Sequence, residues 1–147
     1  MTKPTLLCAV LSLFAAFAGG CDKTTEADEL QVTIEDMVSE LNAQTEIGCD
    51  CWEQLGYGTK SACEDNEILP AKRRCIEDAL MRDASASLDR FSCIVPLEEE
   101  YTACIDSRLS CEDLSSADPC GKDYQIGLER CEELPKSVQR AYDDCFE

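Results

Sequence analysis

Twelve cysteines in 147 residues, with no histidine anywhere, constrain this chain more than any other feature. Ten of them fall from Cys49 onward: Cys49, Cys51, Cys63, Cys75, Cys93, Cys104, Cys111, Cys120, Cys131 and Cys145. An even set at this density reads as a disulfide framework, the means by which small exported domains make up for a thin core. The core here is thin by composition, because beyond residue 20 the aromatic side chains are Trp52, Phe91, Phe146 and four tyrosines. Each disulfide typically adds about 2–4 kcal/mol, in the usual account by restricting the unfolded chain.

Helical periodicity dominates what lies between the cysteines, and strand-type alternation is absent. Leu30, Ile34, Met37 and Leu41, with Val38 beside them, form one stripe, predicting a first helix from Asp28 to Ile47 with Gly48 as its stop. Ser61 and Glu64 have capping-box spacing, predicting a short helix that ends before Pro70. Pro70 then opens a helix with Cys75, Ile76, Ala79 and Leu80 on one face. Leu88, Phe91 and Val95 continue the pattern, and Pro96 either kinks that helix or starts another carrying Leu97, Tyr101, Cys104 and Ile105. After a loop from Ser115 to Pro119, Asp118-Pro119 opens a helix with the stripe Cys120, Tyr124, Leu128 and Cys131. Leu134-Pro135 begins a last one, with Val138, Ala141, Tyr142 and Cys145 inward. The expected fold is all-α: a small disulfide-stapled bundle of short helices and helical hairpins.

The chain opens with Lys3, an uncharged run from Thr5 to Ala18, and the small residues Ala18-Gly19-Gly20 before Cys21. This is the layout of a secretory signal over residues 1–20, and the run is shorter than the roughly twenty residues a membrane-spanning helix needs. Ala16-Phe17-Ala18 would suit a cut before Gly19, whereas Ala18-Gly19-Gly20-Cys21 resembles the lipobox of bacterial lipoproteins. That resemblance implies a diacylglycerol on the Cys21 thiol and cleavage just before it. Parity agrees, since with Cys8 removed and Cys21 acylated the remaining ten cysteines can pair completely. Residues 21–29 then form the lipidated cysteine and a polar tether, and residues 30–147 the cysteine-rich helical domain. The expected location is outside the cytoplasm, on a bacterial membrane through the lipid anchor, on its periplasmic or cell-surface side. The cysteine layout from Cys49 onward is also similar to that of uncharacterised cysteine-rich lipoproteins of myxobacteria, a resemblance that brings no activity with it.

Charge and composition narrow the chemistry. Without residues 1–20, whose one charged residue is Lys3, twelve basic residues face thirty-one acidic ones, a net charge of −19. Such a chain repels phosphate backbones, which disfavours nucleic acid, and attracts a cationic protein or other envelope partner. The absence of histidine removes Ser-His and Cys-His nucleophiles and histidine metal sites. Paired carboxylates could support a small exported glycosidase-like enzyme, but no two acids are marked as facing one another across a cleft. Cys49-Asp50-Cys51 could form a redox pair or half a zinc site; exported cysteines without a second close pair favour structural disulfides. No Asp-x-Asp-x-Asp-Gly calcium loop occurs, and neither a metal nor a cofactor is expected. Glu98, Glu99 and Glu100 are the candidate partner-binding residues; placed after Pro96 they would equally serve as the acidic first turn of a helix. The expected role is binding or structural, without catalysis.

About 945 pairings of ten cysteines are possible. Cys63 and Cys75 are nearly symmetric with Cys93 and Cys104 about Ala84, so an antiparallel hairpin there would join Cys75 to Cys93 and Cys63 to Cys104. A turn at Leu134-Pro135 would join Cys120 to Cys145, leaving Cys49, Cys51, Cys111 and Cys131 to pair among themselves. The first arrangement resembles the twin-cysteine hairpins of the coiled-coil-helix-coiled-coil-helix family, although there nine residues separate the cysteines of each helix, whereas both gaps here are longer and Pro70 and Pro96 interrupt the helices. Separately, the ten-residue gap from Cys93 to Cys104 recurs from Cys120 to Cys131, and Leu69-Pro70 recurs as Leu134-Pro135, a pattern open to reading as a duplication of helix pairs.

The substitution Cys21→Ala is expected to release the protein from membranes or leave it unprocessed, while intact mass of the parent carries the acyl chains. A mature parent starting at Gly19 without lipid mass would refute acylation.

Overall fold

A computed structural model describes residues 25–146; the expected signal, the acylated Cys21 and the start of the tether lie outside the described residues. Thr25 opens the described chain as an N-cap. Its hydroxyl accepts from Asp28 N–H at 3.2 Å and Asp28 Oδ2 accepts in return from Thr25 N–H at 3.0 Å. This capping box starts α1 (Glu26–Cys49), so residues 26–29, expected in the tether, form its first turn. The predicted stripe is the buried one, with Leu30, Ile34, Met37 and Val38 at most 6 % exposed and Leu41 packed against them. Gly48 does not end α1, which continues to Cys49; the left-handed glycine is Gly56, at φ 85°, in the following turn.

Four more segments follow the sequence pattern closely. Helix α2 (Lys60–Glu64) is capped by Thr59, two residues before the expected Ser61. Helix α3 (Pro70–Leu80) has proline in its first turn and buries Ile76, Ala79 and Leu80. Helix α5 (Asp118–Leu128) and helix α6 (Lys136–Asp143) begin where Pro119 and Pro135 predict, and short 3-10 turns cover Met81–Asp83, Leu114–Ala117 and Asp144–Phe146. Between them α4 (Ala84–Arg108) runs unbroken through Pro96. Proline there lacks an N–H and crowds the carbonyl of Ser92, but both residues are exposed and water can satisfy that carbonyl. No β-strand occurs among the described residues, and the fold is a small all-α bundle stapled by five disulfides. Such a staple count belongs to an oxidising, exported environment, and no described helix is long and apolar enough to cross a membrane.

Polar contacts fix the directions. Asn42 Oδ1 accepts from Ile68 N–H at 2.7 Å and Arg73 reaches Glu35 at 3.1 Å, so α3 runs back antiparallel to α1. Gln44 meets Glu98 and Thr102, and Cys51 bonds Cys111, so α4 runs parallel to α1. The chain turns between α3 and α4 at Met81–Asp83, where Asp83 caps α4 and the buried Ser87 hydroxyl donates to Leu80 O at 2.8 Å. From that corner α3 packs along α6, while α4 packs between α1 and α5.

This arrangement corrects the expected pairings. Cys75 bonds Cys145 and Cys93 bonds Cys131, so Cys75–Cys93 does not form. Cys63 bonds Cys49 and Cys104 bonds Cys120, which excludes Cys63–Cys104 and Cys120–Cys145. Of the four cysteines left over, Cys51 and Cys111 do bond each other, whereas Cys49 and Cys131 take partners outside that set. The physical reason is that α3 and α4, though adjacent in sequence, bury their apolar faces against different helices. The twin-disulfide hairpin exists one helix later, in α4 and α5. Eleven residues are three helical turns, so Cys93 and Cys104 share a face and meet Cys131 and Cys120 in antiparallel order. The equal gaps are therefore the register of one hairpin. Arg90 secures its base, donating to the Cys131 and Glu132 carbonyls, each at 2.9 Å, and Gly127 admits Leu97, whose side chain would lie 2.7 Å from an added Cβ.

Unreduced peptide mapping is expected to recover Cys104–Cys120 and Cys93–Cys131 as linked peptides, together with Cys75–Cys145. Recovery of Cys75 linked to Cys93 would overturn the packing of α4 on α1.

Candidate functional site

Helix α4 carries Glu98 into the seam between α1 and α5, where its side chain is buried at 5 % exposure. From α1, Gln44 donates its amide N–H to Glu98 Oε2 at 2.6 Å and to Thr102 Oγ1 at 3.2 Å. The Thr102 hydroxyl in turn donates to the Glu98 backbone carbonyl at 2.8 Å. From α5, the Tyr124 hydroxyl donates to Glu98 Oε1. Both carboxylate oxygens are thus engaged, and no buried side-chain polar atom among the described residues lacks a partner. A buried acid with this much hydrogen bonding holds three helices in one register.

The same acid sets the tyrosines around it. Burial, then the hydrogen bond to Glu98 and its negative charge, hold the Tyr124 hydroxyl well above the ordinary tyrosine range. Tyr142, buried against Phe91, is pushed up to about 12 by burial first, with the charges of Glu98 and Asp143 adding to it.

On the outer side of Tyr124 lies a small cavity of about 140 Å³. Tyr101 and Tyr124 stand with ring centroids 5.2 Å apart, and Leu97, Glu100, Asp123 and the Cys104–Cys120 disulfide complete the walls. Ring faces carry negative charge, and a phenol that leans its proton onto a carboxylate carries more of it. Two aromatic rings flanked by two carboxylates suit a single ammonium or guanidinium group, and the volume is below the roughly 300 Å³ at which small-molecule pockets begin.

The expected partner-binding set is divided. Glu98 is buried in the network, Glu100 lines the cavity, and Glu99 is exposed without lining it. At about 100° per residue, three consecutive helical positions point to three faces. Nor do these acids open a helix, because α4 already runs from Ala84.

A second concavity, of about 380 Å³, lies beside the C-terminal part of α1. Its floor is Leu41, Ile68 and the Cys49–Cys63 disulfide, and its rim is the exposed trio Leu55, Tyr57 and Phe146. Cys49 and Cys51 bond to different partners, Cys63 and Cys111, so the Cys49-Asp50-Cys51 motif is neither a redox pair nor half a zinc site. No cluster of three or more metal-ligating side chains occurs among the described residues.

Sequence reading passed over Gln44, Tyr101, Asp123 and Tyr124 as site residues. A signal existed for the tyrosines: Tyr101 precedes Cys104 by three residues and Tyr124 follows Cys120 by four, so each sits one turn from a cysteine of the same disulfide. Using it required the pairing. No protein-family model, no curated protein and no solved structure matches this chain.

The tyrosines give stability a pH dependence. Their folded-state values lie above the ordinary 10.0, so their contribution is complete below about pH 10 and is lost as pH rises toward about 12. Urea midpoints are expected to be level from pH 7 to 9 and to fall above 10, with a shallower fall in Tyr124→Phe. A midpoint rising through that window would contradict the buried network.

Proposed function

We propose that this chain is an exported lipoprotein, anchored through acylated Cys21, that holds a cationic partner at the membrane surface without turning over a substrate. The observation that carries the reading is the cavity in which Glu100 and Asp123 flank the adjoining, tilted rings of Tyr101 and Tyr124, on a chain of net charge −18. Long-range attraction brings a basic partner to such a surface, and the cavity gives one of its side chains a specific seat. The paired disulfides of α4 and α5 keep both walls in register, so little ordering cost falls on binding.

Three residues separate Cys21 from the capping residue Thr25 in the sequence, and α1, of 24 residues, extends about 36 Å from there. Gln44, late in α1, is bonded to the same Glu98 that holds Tyr124, so the cavity stands toward the far end of that helix from the lipid.

An oligolysine peptide is expected to bind tightly at 0.01 M salt and much more weakly at 0.15 M, as the Debye length falls from about 30 Å to about 8 Å. Glu100→Lys should weaken binding severalfold with little change in melting temperature, and Glu99→Lys should weaken it less. Salt-insensitive binding, or equal losses in the two variants, would count against this seat.

A further inference from the structure

The groove beside the C-terminal part of α1 inverts the charge of the chain around it. Thirty-one acidic residues are spread along the sequence, yet none lines this groove, and its single charged lining residue is the cation Lys72. Lys72 is half-buried, makes no ion pair among the described residues, and places its Nζ 5.2 Å from the centre of the Phe146 ring. Of the cations nearby, Lys60 pairs with Asp50 and Arg73 with Glu35 and Glu77, and Arg74 does not line the groove. An uncommitted ammonium at the edge of an apolar groove is the arrangement that fits an apolar body with one negative end.

Size and rigidity agree. At about 380 Å³ the groove falls within the range of small-ligand pockets and is too large to be a packing defect. Leu55 and Phe146 are 48 % and 44 % exposed at its rim, large apolar groups that a folded chain keeps in water at a cost. The segment carrying Leu55 is fastened on both sides, by Cys51–Cys111 before it and Cys49–Cys63 after it, and Phe146 directly follows Cys145 of the Cys75–Cys145 bond. The polar side chains of Asn66 and Tyr57 also line the groove, the Asn66 amide donating to the Tyr57 hydroxyl at 3.1 Å.

We infer that this groove binds a single-chain amphiphile with an anionic head, of the fatty-acid class, its tail against Leu41, Leu55 and Ile68 and its carboxylate paired with Lys72. The inference stands apart from the cation seat on α4 and α5, which shares no lining residue with it.

The test is calorimetric titration of decanoate, below its micelle concentration, into the full chain carrying Cys21→Ala, so that no acyl group of the protein competes. Saturable one-to-one binding is expected. Lys72→Gln should weaken it about tenfold, the loss of one charge-assisted contact, worth about 1.4 kcal/mol. Leu55→Asp, at an exposed position where folding is not at risk, should weaken it at least as much, and decyltrimethylammonium should bind more weakly than decanoate. Absence of saturable decanoate binding, equal binding of the two head groups, or indifference to both substitutions would overturn the assignment. Glu100→Lys serves as the internal control: it bears on the cation seat and should leave decanoate binding unchanged.

Discussion

Much of this domain is referred to a single register, that of α4 against α5. Cys104 and Cys120 lie eight residues either side of Glu112, Leu97 and Gly127 fifteen, and Cys93 and Cys131 nineteen. Two disulfides and one close approach therefore describe the same antiparallel hairpin, and slipping it by one residue would break all three. Because α4 also buries Phe91, Ile94 and Val95 in the core it shares with α1, the register passes from the covalent staples into the apolar packing. From there it reaches Gln44 and the seat of Tyr124.

The network on Glu98 shows what a thin core asks of its polar groups. Burying an acid costs several kcal/mol unless its oxygens find donors, and here each finds one from a different helix. Apolar contacts alone tolerate rotation and sliding, whereas hydrogen bonds to two fixed oxygens do not. The acid thus serves specificity of assembly more than its depth, and it does so at the level where α1, α4 and α5 meet.

Local structure was legible in the sequence because each helix wrote its own stripe. Leu30, Ile34 and Met37 are buried as their spacing required, and Pro70 and Pro119 open helices as their fixed φ favours. Pairing was less legible. Symmetry about Ala84 was as good on paper as symmetry about Glu112, and what separates them is that Cys93 and Cys104 stand three full turns apart on the single helix α4. The twelve-residue step from Cys63 to Cys75 crosses the break between α2 and α3, from Asp65 to Leu69. The site was hidden for a related reason: the acids of Glu98-Glu99-Glu100 look alike in sequence, and only the neighbours of each face make one a buried clamp and another a cavity wall. Pro96 misled in the same way, since a proline whose orphaned carbonyl faces water need not end a helix.

The order of the five disulfides has a consequence that no single bond would produce. Cys49–Cys63 overlaps Cys51–Cys111, that loop overlaps Cys75–Cys145, and the two hairpin bonds lie inside the last. Every peptide bond from Cys49 to Cys145 is consequently enclosed by at least one cross-linked ring. A protease that severs the backbone once anywhere in that stretch, even in the turns around Gly56 or between Arg108 and Leu114, leaves one covalent molecule. In a compartment where hydrolases act on whatever is exported, a copy nicked within that stretch would still carry α1 and both concavities, and detaching any portion between Cys49 and Cys145 would take at least two cuts.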